Sequence, residues 1–385
     1  MTRFEFATAT RIMFGAGMAR EAISAAKQMG QRALLVTGSC RERSGRFSDV
    51  LRATGIAVTA FSVGQEPDLA LVQQGLELAR QEKCDFVIAV GGGSVMDAGK
   101  AISALLTHEG SLMDYLEVIG RGRPLERPAA ACIAIPTTAG TGSEVTRNAV
   151  LASPKHGVKA SMRSPLMLPR LAVVDPELTY DLPPAITAST GMDALTQVIE
   201  PYVSVRANPM TDGFCLEGMG RAARSLLRAF QDGRSTAART DMALASLLGG
   251  LALANAGLGV VHGCAAPIGG MFRAPHGAAC AALLGPGMAV NIHALRLRSP
   301  GSESLARYQK IAAVLTQNPG AAPEDGPAFV RDLCAELAIP PLSSYGIREA
   351  DVGALVTQAL RASSMKGNPV ALESQELAAM LSDAM

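Results

Sequence analysis

The run Ala89-Val-Gly-Gly-Gly-Ser-Val-Met-Asp97 constrains this chain more than any other feature. It follows Cys84-Asp-Phe-Val-Ile-Ala-Val90, which reads as a buried strand, and precedes Ala98–Leu106, which reads as a helix. Glycines between a strand and a helix let backbone N–H groups approach a pyrophosphate at the positive end of the helix. The spacing is neither G-x-G-x-x-G nor a P-loop with its closing Lys-Ser/Thr. A plain βα turn needs fewer than three consecutive glycines, so phosphate binding by Gly92, Gly93 and Ser94 is the stronger reading.

Similar strand and helix signals surround this loop. Ala33–Thr37, Ile56–Phe61, Ala131–Ile135 and Leu171–Val174 read as strands, the last stopped by Asp175-Pro176. Residues 43–55 look helical, and Asp68 is placed to cap a helix running to about Lys83. This order predicts parallel strands with crossover helices and a ligand at their carboxyl ends. Beyond about residue 180 strand signals vanish and Ala/Leu/Met-rich helical segments take over. The expected organisation is a dinucleotide-binding α/β domain over 1–179 and an all-α domain over 180–385.

The 385 residues suffice for two domains with real cores. Lys+Arg is 35 and Asp+Glu 34, for a net charge of +1, which gives no argument for nucleic acid or an acidic membrane surface. Seven scattered cysteines without CxxC spacing predict a reducing, cytoplasmic setting rather than a disulfide framework. No secretory signal is visible near Arg3, Glu5 and Arg11. Met242–Val261 is free of charge for twenty residues, the length of a membrane span. Its Ser246, Gly249, Gly250, Asn255, Gly257 and Gly259, and its lack of flanking anchors, favour a buried helix of the helical domain.

Two further constellations stand out. Pro136-Thr-Thr-Ala-Gly-Thr-Gly-Ser-Glu-Val-Thr146 offers hydroxyls and free N–H groups beside a strand end. Alone it reads equally as a polar loop; beside the glycine run it reads as a second wall of a nucleotide site. Asp193 and Gln197, at i and i+4, share a helical face, and His262 and His276 follow in a Gly/Pro-rich segment. Taken singly, each histidine reads as a satisfied core residue; together with Asp193 they form a divalent-metal set.

Gly91-Gly-Gly-Ser-x-x-Asp97, Pro136-Thr-Thr-x-x-Thr-x-Ser-Glu144, Gly191-Met-Asp-Ala194 and Val261-His-Gly with Pro275-His-Gly277 together resemble the iron-containing (group III) alcohol dehydrogenases. The resemblance covers nearly the whole chain. It implies a dehydroquinate synthase-like fold whose active site lies between the two domains. The implied reaction is hydride transfer between NAD(P)(H) and a small alcohol, aldehyde or ketone, in a homodimer that uses Fe²⁺ or Zn²⁺. Cofactor contacts then fall at Gly92, Gly93, Ser94, Asp97, Thr137, Thr138, Thr141, Asn148, Lys159 and Leu178. Catalysis falls to Asp193, His262 and His276, and metal binding to those three with Gln197.

Three departures from the family pattern matter. Gln197 stands where the family has the first of three metal-binding histidines, which predicts weak or absent metal. Ala266 stands where a further histidine is often found, so water or a ribose hydroxyl must relay the proton. Gly38 stands where NAD-preferring members carry an aspartate, while Ser39 and Arg41 suit a 2′-phosphate, which predicts NADP(H) over NAD(H). The competing readings are a lyase of the dehydroquinate synthase type and a non-catalytic nucleotide-binding relative.

Overall fold

In the strand β2 (Arg32–Thr37), Ala33 and Leu35 belong to one hydrophobic cluster, Leu34 and Val36 to another. The strand β4 (Phe86–Gly91) divides in the same way, with Ile88 and Val90 opposite Val87 and Ala89. Strands apolar on both faces need a helical layer on each side. Helices α1 (Met18–Ala26) and α2 (Arg41–Ala53) supply one layer through Ala19, Ala22, Ala26 and Leu51. Helices α3 (Leu69–Gln81) and α4 (Gly93–Leu106) supply the other through Val72, Leu76, Ala98 and Ile102. The computed structural model describes residues 3–272 and 274–385, with the side chains of Arg41 and Arg43 also outside that description.

With β1 (Arg11–Phe14), β3 (Ala57–Ser62), β5 (Ala131–Pro136) and β8 (Leu171–Val174), these strands form a six-stranded sheet in the order β1-β8-β5-β4-β2-β3. Every pairing in it is parallel. The chain steps from β2 outward to β3, then returns to lay β4 on the other side of β2. The carboxyl ends of β2 and β4 thus flank a topological switch point, the usual ligand position in such sheets.

The structure refines the sequence reading at two points. Helix α4 begins at Gly93, with Gly92 as its extended N-cap and Gly91 ending β4, so the glycine run carries the chain directly from strand to helix and the helix starts five residues earlier than expected. An antiparallel hairpin of β6 (Asn148–Ser153) and β7 (Val158–Arg163) also lies outside the main sheet. Asp68 caps α3 as expected, accepting from the Leu71 N–H at 2.8 Å.

By contacts the chain forms two compact units: Ala7–Thr138 with Gly142–Thr179, and Met1–Phe6, Ala139–Thr141 and Tyr180–Met385. The short α5 (Leu112–Tyr115) belongs to the first. The second is built from α6 (Pro184–Val203), α7 (Pro209–Gln231), α8 (Thr236–Ala256), α9 (Val260–Phe272), α10 (His276–Arg298), α11 (Glu303–Thr316), α12 (Asp325–Glu336), α13 (Val352–Ala359) and α14 (Ser374–Asp383) around one hydrophobic cluster.

The uncharged stretch 242–261 is not one helix. It breaks between α8 and α9, whose axes turn by 99°. Gly257 sits there at φ +75°, and a Cβ on it would lie 1.9 Å from the Arg206 guanidinium. The positive φ is what calls for glycine here, since the Arg206 tip can move aside. Among the described residues α10 is long and apolar enough to cross a membrane, yet 72 % of its apolar window is buried inside the protein.

Candidate active site

The α8–α9 turn places His262 in the first turn of α9. Glu200 of α6 fixes it there. One carboxylate oxygen accepts from the Val261 N–H at 2.6 Å, and the other lies 2.6 Å from His262 Nδ1. A carboxylate on Nδ1 holds the proton on that nitrogen and turns the Nε2 lone pair the opposite way. On the same face of α6, one and two turns earlier, stand Gln197 and Asp193, both buried. His262 Nε2 lies 3.4 Å from Asp193 Oδ1, and His276 Nε2, at the start of α10, lies 3.7 Å from it.

The structure thus brings Asp193, His262 and His276 together and buries Gln197 beside Asp193 on α6. It adds a residue that sequence reasoning missed. Cys280 is one helical turn after His276, with Sγ 3.7 Å from His276 Nε2. One ligand atom each from Asp193, His262, His276 and Cys280 lie within 4.8 Å of one another. The available signal was the i, i+4 spacing of His276 and Cys280. Glu200 was missed too, although it follows Gln197 by three residues in the same helix.

Three buried atoms here have no hydrogen-bond partner: Asp193 Oδ1, Gln197 Oε1 and His262 Nε2. All three can present lone pairs, and bare burial costs about 1–3 kcal/mol each. That donor set fits a divalent cation of the Fe²⁺ or Zn²⁺ type.

The electrostatics are those of a tightly coupled group. Burial works to raise the Asp193 carboxyl, but the His276 and His262 charges outweigh it and hold it below the ordinary carboxylate value. Burial opposes protonation of His262, yet Cys280, Asp193 and Glu200 raise it well above an ordinary imidazole. His276 is raised as well, first by Cys280. Burial works to raise the Cys280 thiol, and His276 and His262 bring it below its usual value. By contrast, burial pushes Cys132 and Cys264 up to about 12. Ala266, one turn past His262 on α9, adds no titratable group.

In the α/β unit, Gly92, Gly93 and Ser94 begin α4 at the carboxyl end of the fully buried strand β4. Thr137 N–H bonds the Gly91 carbonyl at 2.9 Å, and a Cβ on Gly92 would meet Thr138 Cγ2 at 3.4 Å, so the two loops lie against each other. Gly38 and the exposed Ser39 follow β2 at the neighbouring strand end. The Arg41 side chain lies outside the described residues.

Asp97 is turned into the protein. Its oxygens accept from Ser143 Oγ at 2.7 Å and the Val150 N–H at 3.0 Å, and Lys100 Nζ is 3.2 Å away. Lys100, wholly buried, also donates to Ser143 Oγ at 2.6 Å, the Ser143 carbonyl at 3.0 Å and Thr146 Oγ1 at 2.9 Å. This network fastens α4 to the hydroxyl-rich segment. Asn148 opens β6, Lys159 on β7 pairs with Glu66, and Leu178 sits half-buried in the 3₁₀ turn Pro176–Thr179. Thr141 lies in the short segment grouped with the helical unit.

Comparison with known proteins agrees with this geometry. A family model described as iron-containing alcohol dehydrogenase matches residues 9–176, and one for the C-terminal part of the Fe-containing alcohol dehydrogenase family matches 187–385. The chain is 37 % identical to a choline dehydrogenase of Bacillus subtilis over 344 residues, 88 % of this chain and 84 % of that one. It is 37 % identical to a 1,3-propanediol dehydrogenase of Klebsiella pneumoniae over 367 residues, 92 % of each. A crystal structure of 1,3-propanediol oxidoreductase superposes with a TM-score of 0.92 at 34 % identity over the whole of both chains.

Proposed function

Because this chain belongs to the iron-containing alcohol dehydrogenase family, we propose how its own residues divide the work of that family's reaction. The chain is an oxidoreductase acting on CH–OH groups, and the lyase alternative falls away. The substrate class is a small alcohol and its aldehyde or ketone, with NAD(P)(H) as the redox partner.

One observation carries the site: the buried and unpartnered Asp193 Oδ1, Gln197 Oε1 and His262 Nε2 in the helical unit. In our reading Asp193, Gln197, His262 and His276 hold a divalent cation. When bound, the cation supplies Lewis-acid polarisation of the substrate oxygen, and the nicotinamide gives or takes the hydride. Glu200 keeps the proton on His262 Nδ1, so that Nε2, which faces the site, is the nitrogen that would give up its proton to a bound cation. His276, with 36 % of its side chain exposed, is the member of the set that solvent reaches. With alanine at 266, the alcohol proton passes to water or a ribose hydroxyl.

We assign nucleotide binding to residues 1–179 and the cation to 180–385. Gly92, Gly93 and Ser94 offer backbone N–H groups at the start of α4 to the pyrophosphate. Thr137, Thr138, Thr141, Asn148, Lys159 and Leu178 line the remainder, and Asp97 positions the loops through Lys100 and Ser143. The absence of a carboxylate at Gly38, with Ser39 exposed beside it, supports a preference for NADP(H).

Metal analysis of the purified protein, run beside a carbonyl-reduction screen with both coenzymes, tests this reading. The expected result is a bound cation whose chelation stops reduction and whose return restores it. A metal-free preparation that reduces the same substrates at an undiminished rate would reject the cation role.

A further inference from the structure

We propose that Cys280 is a ligand of the cation, so that this chain grips its metal through one carboxylate, two imidazoles and a thiolate, with Gln197 as a neutral oxygen beside them. The proposal rests on the cation reading above and specifies its chemistry. Cys280 is wholly buried, and the start of α10 brings its Sγ to the side of the cluster next to His276. Among the described residues no other group of three or more His, Cys, Asp or Glu side chains gathers ligand atoms in this way. Asp193 Oδ1 and His262 Nε2, two atoms of this cluster, are buried without a hydrogen-bond partner and so are open to a cation, as is Gln197 Oε1 one turn along α6.

The chemistry explains how the chain tolerates Gln197. Exchanging an imidazole for an amide removes a strong donor. A thiolate restores one and is softer than the nitrogen it replaces. Among the ligands themselves, one carboxylate and one thiolate match the two charges of a divalent cation, while the Glu200 carboxylate lies behind them against His262 Nδ1. A thiolate together with the ordinary affinity order places Zn²⁺ ahead of Fe²⁺, and Zn²⁺ can expand its coordination to take the substrate oxygen beside these donors. Loading requires loss of the Cys280 proton to solvent as the S–metal bond forms, with no change in oxidation state.

Cobalt(II) titration of the metal-free full-length protein provides the test, since Co²⁺ occupies zinc sites and reports its ligands by colour. Wild type is expected to develop visible d–d bands together with a near-ultraviolet sulfur-to-cobalt charge-transfer band. Cys280→Ser should keep the d–d bands and lose the charge-transfer band. It should also lose at least about tenfold in Zn²⁺ affinity, the scale on which even an outer-shell partner matters. Wild-type d–d bands with no charge transfer, or charge transfer that persists in Cys280→Ser, would overturn the sulfur ligand and leave the cation site standing. Absence of any cobalt bands would overturn both. The wild-type spectrum decides the matter alone if the variant fails to fold. In competition, retention of Fe²⁺ over Zn²⁺ by wild type would overturn the metal preference.

Discussion

Replacing Glu144 by glutamine should stabilise the protein, and more so as the pH rises. Glu144 is 2 % exposed in the 3₁₀ turn Ser143–Val145, at the end of the hydroxyl-rich segment. Burial pushes its carboxyl from 4.5 up to about 7, although its own backbone and the Lys100 charge pull the other way. Between those two values the folded chain holds a proton that the unfolded chain has released. The contribution of Glu144 to stability therefore falls as the pH rises from 4.5 to about 7 and stays low above that. The gap between the two values is worth on the order of 3 kcal/mol once both states are ionised. Glutamine keeps the shape and the hydrogen-bonding capacity of the neutral acid but never ionises. Urea unfolding of wild type and Glu144→Gln, followed by far-ultraviolet circular dichroism at about pH 5 and about pH 8, measures the difference. The variant's advantage should be under about 1 kcal/mol at the lower pH and on the order of 3 kcal/mol at the higher one. An advantage equal at both values would show that Glu144 is already ionised in the folded chain at the lower pH, and the burial argument would fail.

Gly93→Val should abolish coenzyme binding with the fold retained, because a branched side chain stands where the pyrophosphate meets the first turn of α4; a folded variant with unchanged affinity by nicotinamide fluorescence titration would refute the loop assignment. kcat/KM should be higher with NADPH than with NADH, and Arg41→Ala should cost NADPH about tenfold or more, the worth of a charge-assisted hydrogen bond. A preference for NADH that survives that substitution would end the case. Glu200→Gln should weaken Zn²⁺ binding by about 10–100-fold in competition with a chromophoric chelator, since it removes the charge that orients His262. Unchanged affinity would reduce Glu200 to a cap for α9.

The sequence carried the parts of this molecule whose signals are local. The glycine run, the apolar strands around it and the Asp68 cap each depend on neighbours a few residues away, and each appears where it was expected. The β6–β7 hairpin did not show, because its half-exposed alternation and its alanine content resemble a polar loop. The break at Gly257 was hidden in a stretch whose glycines looked like packing residues of one helix. Its mark is the positive φ of Gly257, a backbone conformation that ends a helix and that the composition of the stretch does not reveal. In the site, Asp193, Gln197, His262 and His276 were legible through motif spacing. Glu200 and Cys280 acquire meaning only when α6, α9 and α10 converge. Lys100 is similar: it reads as an ordinary helix lysine until Ser143 and Thr146 fold over it.

Asp193, Gln197, His262, His276 and Cys280 all belong to one compact unit, and this gives metal supply a second meaning. A cation that binds only the folded form of that unit shifts its folding equilibrium by mass action, by about 2.7 kcal/mol at a hundredfold excess over the dissociation constant. The α/β unit contributes none of these ligands and gains nothing directly. On the proposed cation reading, loss of the metal would open that unit, and not the other, to proteases. Limited proteolysis with and without a chelator would display it as new cuts confined to residues 180–385, and an unchanged digestion pattern would show that the helical unit holds its fold without the ion.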